Sequence, residues 1–580
     1  MEVDIACVGF GPAMGGFLTT LSRGLVNPDG TPVAESAAMP GMPPMVVCYE
    51  RADDLGFGVS GVVTRARGIR ATFPDLDPAQ IPLATPVTGE KLVYLLDPVG
   101  ASRRSLGLRL GDRLIRSAQR VLPFAHSALE LPYTPPFLHK AGGLVLSIGQ
   151  FNQWVGMQLM GSGLVQLWPA TPVAAPLFEG DGVVGIRLLD QGTDREGNPG
   201  DGFMPGMDIR AALTVLGDGP VGAVGRQVDE HFGMPEDHHR RDWALGTKMV
   251  VELREDVDLP PGTVIHTFGY PEPEIFGFLY VHPDRLASVG IFLPSCFDSP
   301  VPASYRYLQH FMMHPYLWRY LEGGTLRSWG AKSLEESGRR GEPFLARDGC
   351  ARIGEGSGST NVLTGSGVDE AWATGVQLAE AVLRLLREGK PFTRENLEAT
   401  YVAARRESWV ESEGRVAERS RHGFQRGVLT GLVGMALAGL TGGRVAIGPE
   451  PKLPHQRART PKDRLPMDAA DWPPIPHDDT LLISHQDALL LGGKVQAAPG
   501  YADHVIFVRP ELCQTCETRV CVEICSGQAI TPGEAGVPVF DREKCVHCGA
   551  CYWSCAQTLD GERTNIEFRA GAGGLHSPEN

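Results

Sequence analysis

At 580 residues and 62.5 kDa the chain exceeds what one hydrophobic core organises, and it should divide into two or three domains. Its 42% hydrophobic content, mean hydropathy of −0.09 and 72 glycines fit a folded, turn-rich protein and exclude a disordered one. A formal charge of −15 without clustered Lys and Arg excludes nucleic acid, and it predicts a basic patch on any protein partner, with an on-rate that falls as salt rises.

The first strand is predicted from about Val3, which leaves no room for a basic or apolar leader, so the chain is expected to begin in its working compartment. "VDIACVGFGPAMGGFLTTLSRGL" reads as a strand, a glycine turn and an amphipathic helix. In that order Gly9 permits the tight turn, Gly11 lets the backbone approach a pyrophosphate, and the helix offers its N-terminal amides to the anion. Met14 stands where a third Gly or Ala is usual, so helix packing should differ locally. After the Pro- and Gly-rich insert "NPDGTPVAESAAMPGMPP", the strand "MVVCYER" ends in Glu50, placed to accept hydrogen bonds from an adenosine ribose. The bland alternative is a glycine turn with an incidental surface acid.

Further on, "RLIRSAQRVLPF" at 113–124 is basic and apolar, either a solvated helix face or a lipid contact. "GDGPVG" at 217–222 follows the strand-like "AALTVL". No strand ending in an acid follows at the usual interval, so we read it as an Asp-Gly contact to FAD and not as an NAD(P)H site. "ARIGEGSGSTNVLTGSGVDEAWATGVQLAEAVLRLL" supplies a strand, a glycine turn and a long helix from about Gly367, whose N-terminus would face the flavin pyrimidine or the phosphates. Gly427 to Gly443 is a run of 17 uncharged residues between Arg426 and Arg444. As a helix it would extend about 26 Å, short of a bilayer core of about 30 Å, so it is expected to dip into one leaflet instead of spanning. The lone histidines His422 and His485 read as structural.

Of 12 cysteines, Cys7, Cys48, Cys296 and Cys350 are scattered and read as small core residues, while eight lie between Cys513 and Cys555. Clustering of that kind favours metal over disulfides. Cys545, Cys548, Cys551 and Cys555 follow C-x2-C-x2-C-x3-C, in which three thiolates wrap one cubane and the fourth reaches another. Cys513, Cys516, Cys521 and Cys525 form the companion run. Crossing the runs gives two [4Fe–4S] sites: Cys513, Cys516, Cys521 and Cys555, and Cys525, Cys545, Cys548 and Cys551. Zinc, which wants two Cys pairs across a longer loop, fits less well.

With both ends read, the chain resembles the electron transfer flavoprotein:ubiquinone oxidoreductase family. "SGVVTRARGIRATFPD", "TPVTGEKLVYLL", "HPYLWRYLEGGTLRSWGAKSLEESG", "IGEGSGSTNVLTGSGVDEAWATG", "GVLTGLVGMALAG", "LLISHQDALLLGG" and "KCVHCGAC" occur in that family's order. The resemblance implies an α/β fold in which an FAD-binding Rossmann-like, glutathione-reductase-type domain (1–80, 140–230, 340–395) interleaves with an α+β quinone-binding domain (81–139, 231–339). A helical membrane-contact segment (396–500) and an α+β ferredoxin-like iron–sulfur domain (501–580) follow. It implies FAD contacts at Gly9, Gly11, Glu50, Arg51, Ser60, Gly61, Asp218, Gly219, Gly354 and Gly367. The family's single cluster corresponds to Cys525, Cys545, Cys548 and Cys551, so the other four cysteines mark a two-cluster version.

The function these features imply is electron transfer from reduced electron transfer flavoprotein, or a ferredoxin-like donor, through the clusters and FAD to a membrane quinone such as ubiquinone. The expected location is the cytoplasmic face of the inner membrane, with peripheral, monotopic association. Two alternatives stand beside it: a ferredoxin-fed flavin reductase of isoprenoid lipids, geranylgeranyl-reductase-like, and a non-catalytic electron-transfer subunit of a larger complex.

Overall fold

The computed structural model describes residues 1–56, 59, 61–295, 304–457, 472–493, 499–561 and 563–573. The fold is mixed α/β, and its first sheet is Rossmann-like. Cys350–Arg352, Asp208–Leu216, Glu2–Val8, Val46–Tyr49 and Val165–Trp168 lie side by side and run parallel. These strands read as near-continuous apolar runs because both sheet faces are covered. An antiparallel ribbon, Val173–Glu179 with Gly182–Leu188, pairs with the start of Asp208–Leu216, and Cys350–Arg352 pairs with its end. Cys7 and Cys48 are register partners in adjacent strands, and with Cys350 they are buried in the core, as expected; Cys296 lies outside the described residues.

The helix Pro12–Gly24 begins with Pro at a position where the missing N–H costs nothing. It buries Met14, Phe17, Leu18 and Leu21, each worth about 2 kcal/mol of transfer free energy. Met14 is accommodated because the close approach is made elsewhere. A methyl on Gly16 would lie 2.5 Å from the Trp372 carbonyl oxygen, so this helix packs backbone to backbone on Val368–Glu388. The expected local difference in packing is thus a helix–helix contact through Gly15 and Gly16, while the Met14 side chain fills space beside Gly217.

The second sheet has eight strands in the order Thr325–Glu335, Trp243–Glu252, Leu286–Pro294, Phe276–Val281, Thr263–Phe268, Gly89–Leu95, Ala128–Leu131 and Phe124–Ala125. Neighbours are antiparallel except Thr263–Phe268 with Gly89–Leu95, which are parallel. Alternation sends Leu245, Met249, Ile265 and Leu279 into a core closed by the helices Ser304–Met312 and Pro315–Leu321. Gly246, Lys248, His266, Phe278 and Tyr280 face the other way, into a cavity. A three-stranded sheet, Val62–Thr64, Leu144–Leu146 and Thr85–Pro86, joins the two large sheets.

The cysteine-rich end is built from two short antiparallel strand pairs, Val505–Phe507 with Ile566–Phe568 and Ile530–Thr531 with Val539–Phe540, and from short helices. It shares its core with the second sheet. Trp553 donates its indole N–H to Ser333 Oγ at 2.8 Å, its ring stacks on Trp243 with centroids 5.8 Å apart, and the Ser333 N–H bonds the Cys548 carbonyl at 2.9 Å.

Within the apolar run the helix is Val428–Thr441, 14 residues and so about 21 Å, shorter than the full run would give. Its small residues Gly431, Gly434 and Ala438 face the protein, and Leu429, Val433 and Leu440 are exposed, Leu440 at 84%. That is the reverse of a solvated helix. No helix among the described residues is long and apolar enough to cross a membrane.

Candidate cofactor and electron-transfer site

One cavity of about 1170 Å³ connects the three parts of the chain, larger than the pockets of about 300–1,000 Å³ that hold drug-sized ligands. At one end are the glycine turn and the end of the second strand. Gly9 adopts φ +82°, and a methyl there would lie 2.9 Å from the Gly217 carbonyl oxygen, so only glycine makes this turn. Gly11 has open space where a side chain would project, a gap that a pyrophosphate at the helix N-terminus would fill.

Glu50 is buried, with Oε2 accepting the Phe10 N–H at 2.7 Å and Oε1 the Ala52 N–H at 2.9 Å. These bonds fix the carboxylate at the cavity wall. Arg51, Gly61, Asp218, Gly219, Gly354 and Gly367 line the same cavity. Asp218 uses Oδ2 to accept the N–H groups of Val224 and Gly225, at 3.0 and 2.9 Å, and so caps the helix Ala223–Phe232. Ser60 lies outside the described residues. Further along, Thr360 Oγ1 and Ser366 Oγ are buried at the wall without a hydrogen-bond partner among the described residues. Orphaned hydroxyls are costly unless a polar ligand bonds them, so donor set, glycine clearance and volume fit a dinucleotide.

Two half-buried lysines face the middle of the cavity from adjacent strands of the second sheet. Burial pushes Lys248 and Lys332 down to about 8, against the pull of Glu355 on each, and burial pushes Glu355 up to about 8. The Lys332 ammonium bonds the His547 carbonyl at 3.3 Å, which ties the cavity to the cysteine-rich end; His547, Phe568 and Arg569 form part of the wall there.

The eight cysteines are brought together in two sets. Burial raises the thiols of Cys525 and Cys555 to about 11, and in each case neighbouring thiols push further in the same direction. Cys521 feels Cys555, Cys516 and Cys513, whereas Cys545 feels Cys525 and Cys548. Cys551 feels Cys548, Cys525 and Cys545, and also Cys521, so the sets adjoin. Backbone and side-chain groups donate to the sulfurs: Ala529 N–H to Cys525, His547 N–H to Cys545 and Asn565 Nδ2 to Cys513, at 3.2 to 3.3 Å. Donors aimed at sulfur stabilise thiolate, the state a metal requires. Among the described residues no three His, Cys, Asp or Glu side chains close around one point as a single ion requires. A lone tetrahedral ion with metal–sulfur bonds near 2.3 Å would draw four sulfurs to about 3.8 Å of one another, whereas a four-iron cubane holds them farther apart.

At its other end the cavity opens between Tyr133, Phe137 and the outward helix, where Leu432, Met435 and Leu440 form the rim. A methyl on Gly439 would lie 3.2 Å from the Phe137 ring. The helix Leu106–Ser117, capped by Ser105, covers the same sheet face through the Tyr94–Asp112 bond of 2.8 Å and exposes Leu106, Leu110 and Leu114 along one side. It ends before the basic stretch at 113–124 is complete, and Val121 beyond it is also exposed. Sequence reasoning missed Lys248, Lys332 and His266 at this wall, since a lone Lys or His in a strand carries no signal of what faces it.

Residues 243–334 match the family model "ETF-QO, ubiquinone-binding". The electron transfer flavoprotein-ubiquinone oxidoreductase of Pseudomonas aeruginosa is 28% identical over 71% of this chain and 69% of its own length. The mitochondrial enzyme of that name from Arabidopsis thaliana is 29% identical over 77% of this chain and 70% of its own. Among solved structures, a geranylgeranyl bacteriochlorophyll reductase-like protein from Thermoplasma acidophilum superposes with a TM-score of 0.50 at 13% identity, covering 77% of this chain and 92% of its own, which is a likeness of fold alone. With a cavity walled by the matched segment and by a Rossmann-like sheet, the chain is an oxidoreductase similar over most of its length to proteins named electron transfer flavoprotein-ubiquinone oxidoreductase.

Proposed function

We propose that this chain passes electrons from reduced electron transfer flavoprotein, or a ferredoxin-like donor, through two [4Fe–4S] clusters and FAD to a membrane quinone. The observation that carries the reading is the continuity of one cavity from the glycine turn at Gly9 and Gly11, past a wall of the cysteine-rich end, to a mouth rimmed by the outward apolar helix Val428–Thr441. When bound, clusters carry electrons singly and a flavin one or two, so together they join a one-electron donor to a two-electron acceptor.

The chain's own residues divide that work. The backbone at Gly11 and Gly219 admits the dinucleotide phosphates, Glu50 orients the ribose, and the hydroxyls of Thr360 and Ser366 bond the polar edges of the cofactor. Cys513, Cys516, Cys521 and Cys555 hold one cluster, and Cys525, Cys545, Cys548 and Cys551 the other, in a ferredoxin-like domain. Exposed Leu429, Val433 and Leu440, with Leu110 and Leu114, sink into one leaflet on the cytoplasmic face of the inner membrane, so that a quinone enters from lipid between Phe137 and the helix.

Anaerobic reduction of the purified holoprotein, followed by flavin absorbance and cluster EPR, tests the reading. Flavin and two [4Fe–4S] signals should appear on reduction and disappear when a short-chain quinone is added. Flavin that stays reduced in the presence of quinone would transfer the chain to another acceptor class.

A further inference from the structure

Between the solvent and the apolar part of the cavity runs a chain of three titratable side chains. Parallel pairing sets Glu90 against Val264 and Leu92 against His266, so Glu90 and His266 point to one sheet face although they lie 176 residues apart. His266 Nε2 lies 3.2 Å from Glu90 Oε1, and His139 Nδ1 lies 2.5 Å from Glu90 Oε2. The backbone N–H of Lys140 donates to both carboxylate oxygens at 3.1 Å. Side-chain exposure falls from 53% at His139 to 6% at Glu90 and 8% at His266, and His266 lines the cavity with Leu92, Phe268 and Phe276. The chain therefore begins in water and ends at the cavity.

Anchoring a strand would need one histidine on a carboxylate, and an exposed ion pair adds under about 1 kcal/mol. Two histidines on opposite oxygens of a buried carboxylate make a continuous hydrogen-bonded path instead. We infer that His139, Glu90 and His266 conduct protons from solvent to a quinone carbonyl in the cavity, an inference that rests on the quinone reading above.

The arithmetic of the reaction requires such a path, because two electrons convert a quinone to a quinol only with two protons. In each pass the His266 Nδ1–H bond breaks and an O–H bond forms on the quinone, while Nε2 takes a proton from the Glu90 carboxyl. His139 refills Glu90 and is itself refilled from water. Between passes exchange through water carries the ring proton from Nε2 to Nδ1, and the two electrons come from the reduced cofactor. Nδ1 carries no hydrogen bond to the described residues, which leaves it for the substrate. Burial lowers the pKa of His266 against the pull of Glu90, so the ring is neutral and gives up a proton as it gains one. Burial works against the charge on Glu90, yet the bonds from His266 and the Lys140 amide hold its carboxyl below the usual range, which is the state that follows each pass, with Nε2–H on the carboxylate; Tyr280 beside His266 stays protonated through burial.

The test uses holoenzyme reduced anaerobically and mixed by stopped flow with either a short-chain quinone or ferricenium, an acceptor that takes one electron and no proton. Glu90→Gln and His266→Phe should slow flavin reoxidation by quinone about 100-fold, the scale of a lost general acid, and leave the ferricenium rate unchanged. His139→Gln, at the surface and safe for folding, should slow the quinone step alone, with the rate restored by added imidazole. Wild-type rates with quinone in all three variants, or equal slowing with both acceptors, would overturn the relay. A wild-type enzyme oxidised by ferricenium but inert to quinone would sink the quinone reading and the relay with it.

Discussion

Gly375 lies so close to Ala13 that a methyl on it would sit 1.9 Å from the Ala13 carbonyl oxygen and 2.7 Å from the Phe17 nitrogen. Both neighbours are backbone of the helix behind the dinucleotide turn, so nothing can give way but the helix itself. Gly375→Ala should therefore destabilise the protein by about 3 kcal/mol or more and shed FAD on gel filtration. Calorimetry and the flavin-to-protein absorbance ratio check this, and a stable, flavin-retaining variant would refute the packing argument.

The two cysteine sets make separable demands. Wild-type protein isolated anaerobically should hold about eight iron atoms per chain. Cys513→Ser and Cys551→Ser should each leave about four, with different EPR signals surviving in the two variants. Loss of the same signal from both would mean that the two cysteine sets are misassigned.

Buried Glu335 gives a pH signature. Desolvation raises its carboxyl to about 7, against the Ser337 hydrogen bonds and Arg240, and its Oε2 has no partner among the described residues. An unfolded carboxyl ionises near 4.5, so between that pH and 7 the folded chain holds a proton that the unfolded chain has released. The contribution to stability is then full below about 4.5 and is lost as pH rises, at about 1.4 kcal/mol per pH unit until about 7. Glu335→Gln removes that loss. Denaturant titrations should show the variant gaining on wild type by about 3 kcal/mol between pH 4.5 and 7, and no further above it. A difference that does not change with pH would contradict the shift.

The outward leucines should govern lipid binding. Replacing Leu429 and Leu440 by Asp removes two apolar anchors worth about 2 kcal/mol each, so partition onto anionic vesicles should drop more than about a hundredfold. Reduction by a soluble donor should be unchanged. Sedimentation with vesicles reads the first quantity and stopped flow the second.

Much of the cofactor end was legible in the chain. The strand, glycine turn and helix at residues 2–24 follow from local pattern, and Glu50 at the end of the next strand follows from the same motif. The apolar run at 427–443 was legible as a segment too short to span, though its sequence did not say that the glycines would turn inward and the leucines outward. That sidedness comes from Phe424, whose ring packs against Gly431 and against Phe276 of the second sheet.

The sequence by itself determined the motifs whose residues are neighbours along the chain: the dinucleotide turn, the two cysteine runs and the apolar helix. Spacing alone encodes them, because a turn, a thiolate loop and a helix are each closed by contacts within a few residues. Only the tertiary structure decided what those motifs share. The parallel pairing of Gly89–Leu95 with Thr263–Phe268 created the His139, Glu90 and His266 chain, and docking of the cysteine-rich end on the second sheet brought His547 to the cavity wall. Such juxtapositions rest on burial shared between segments far apart in the chain, and no local pattern records which distant strand will provide the partner.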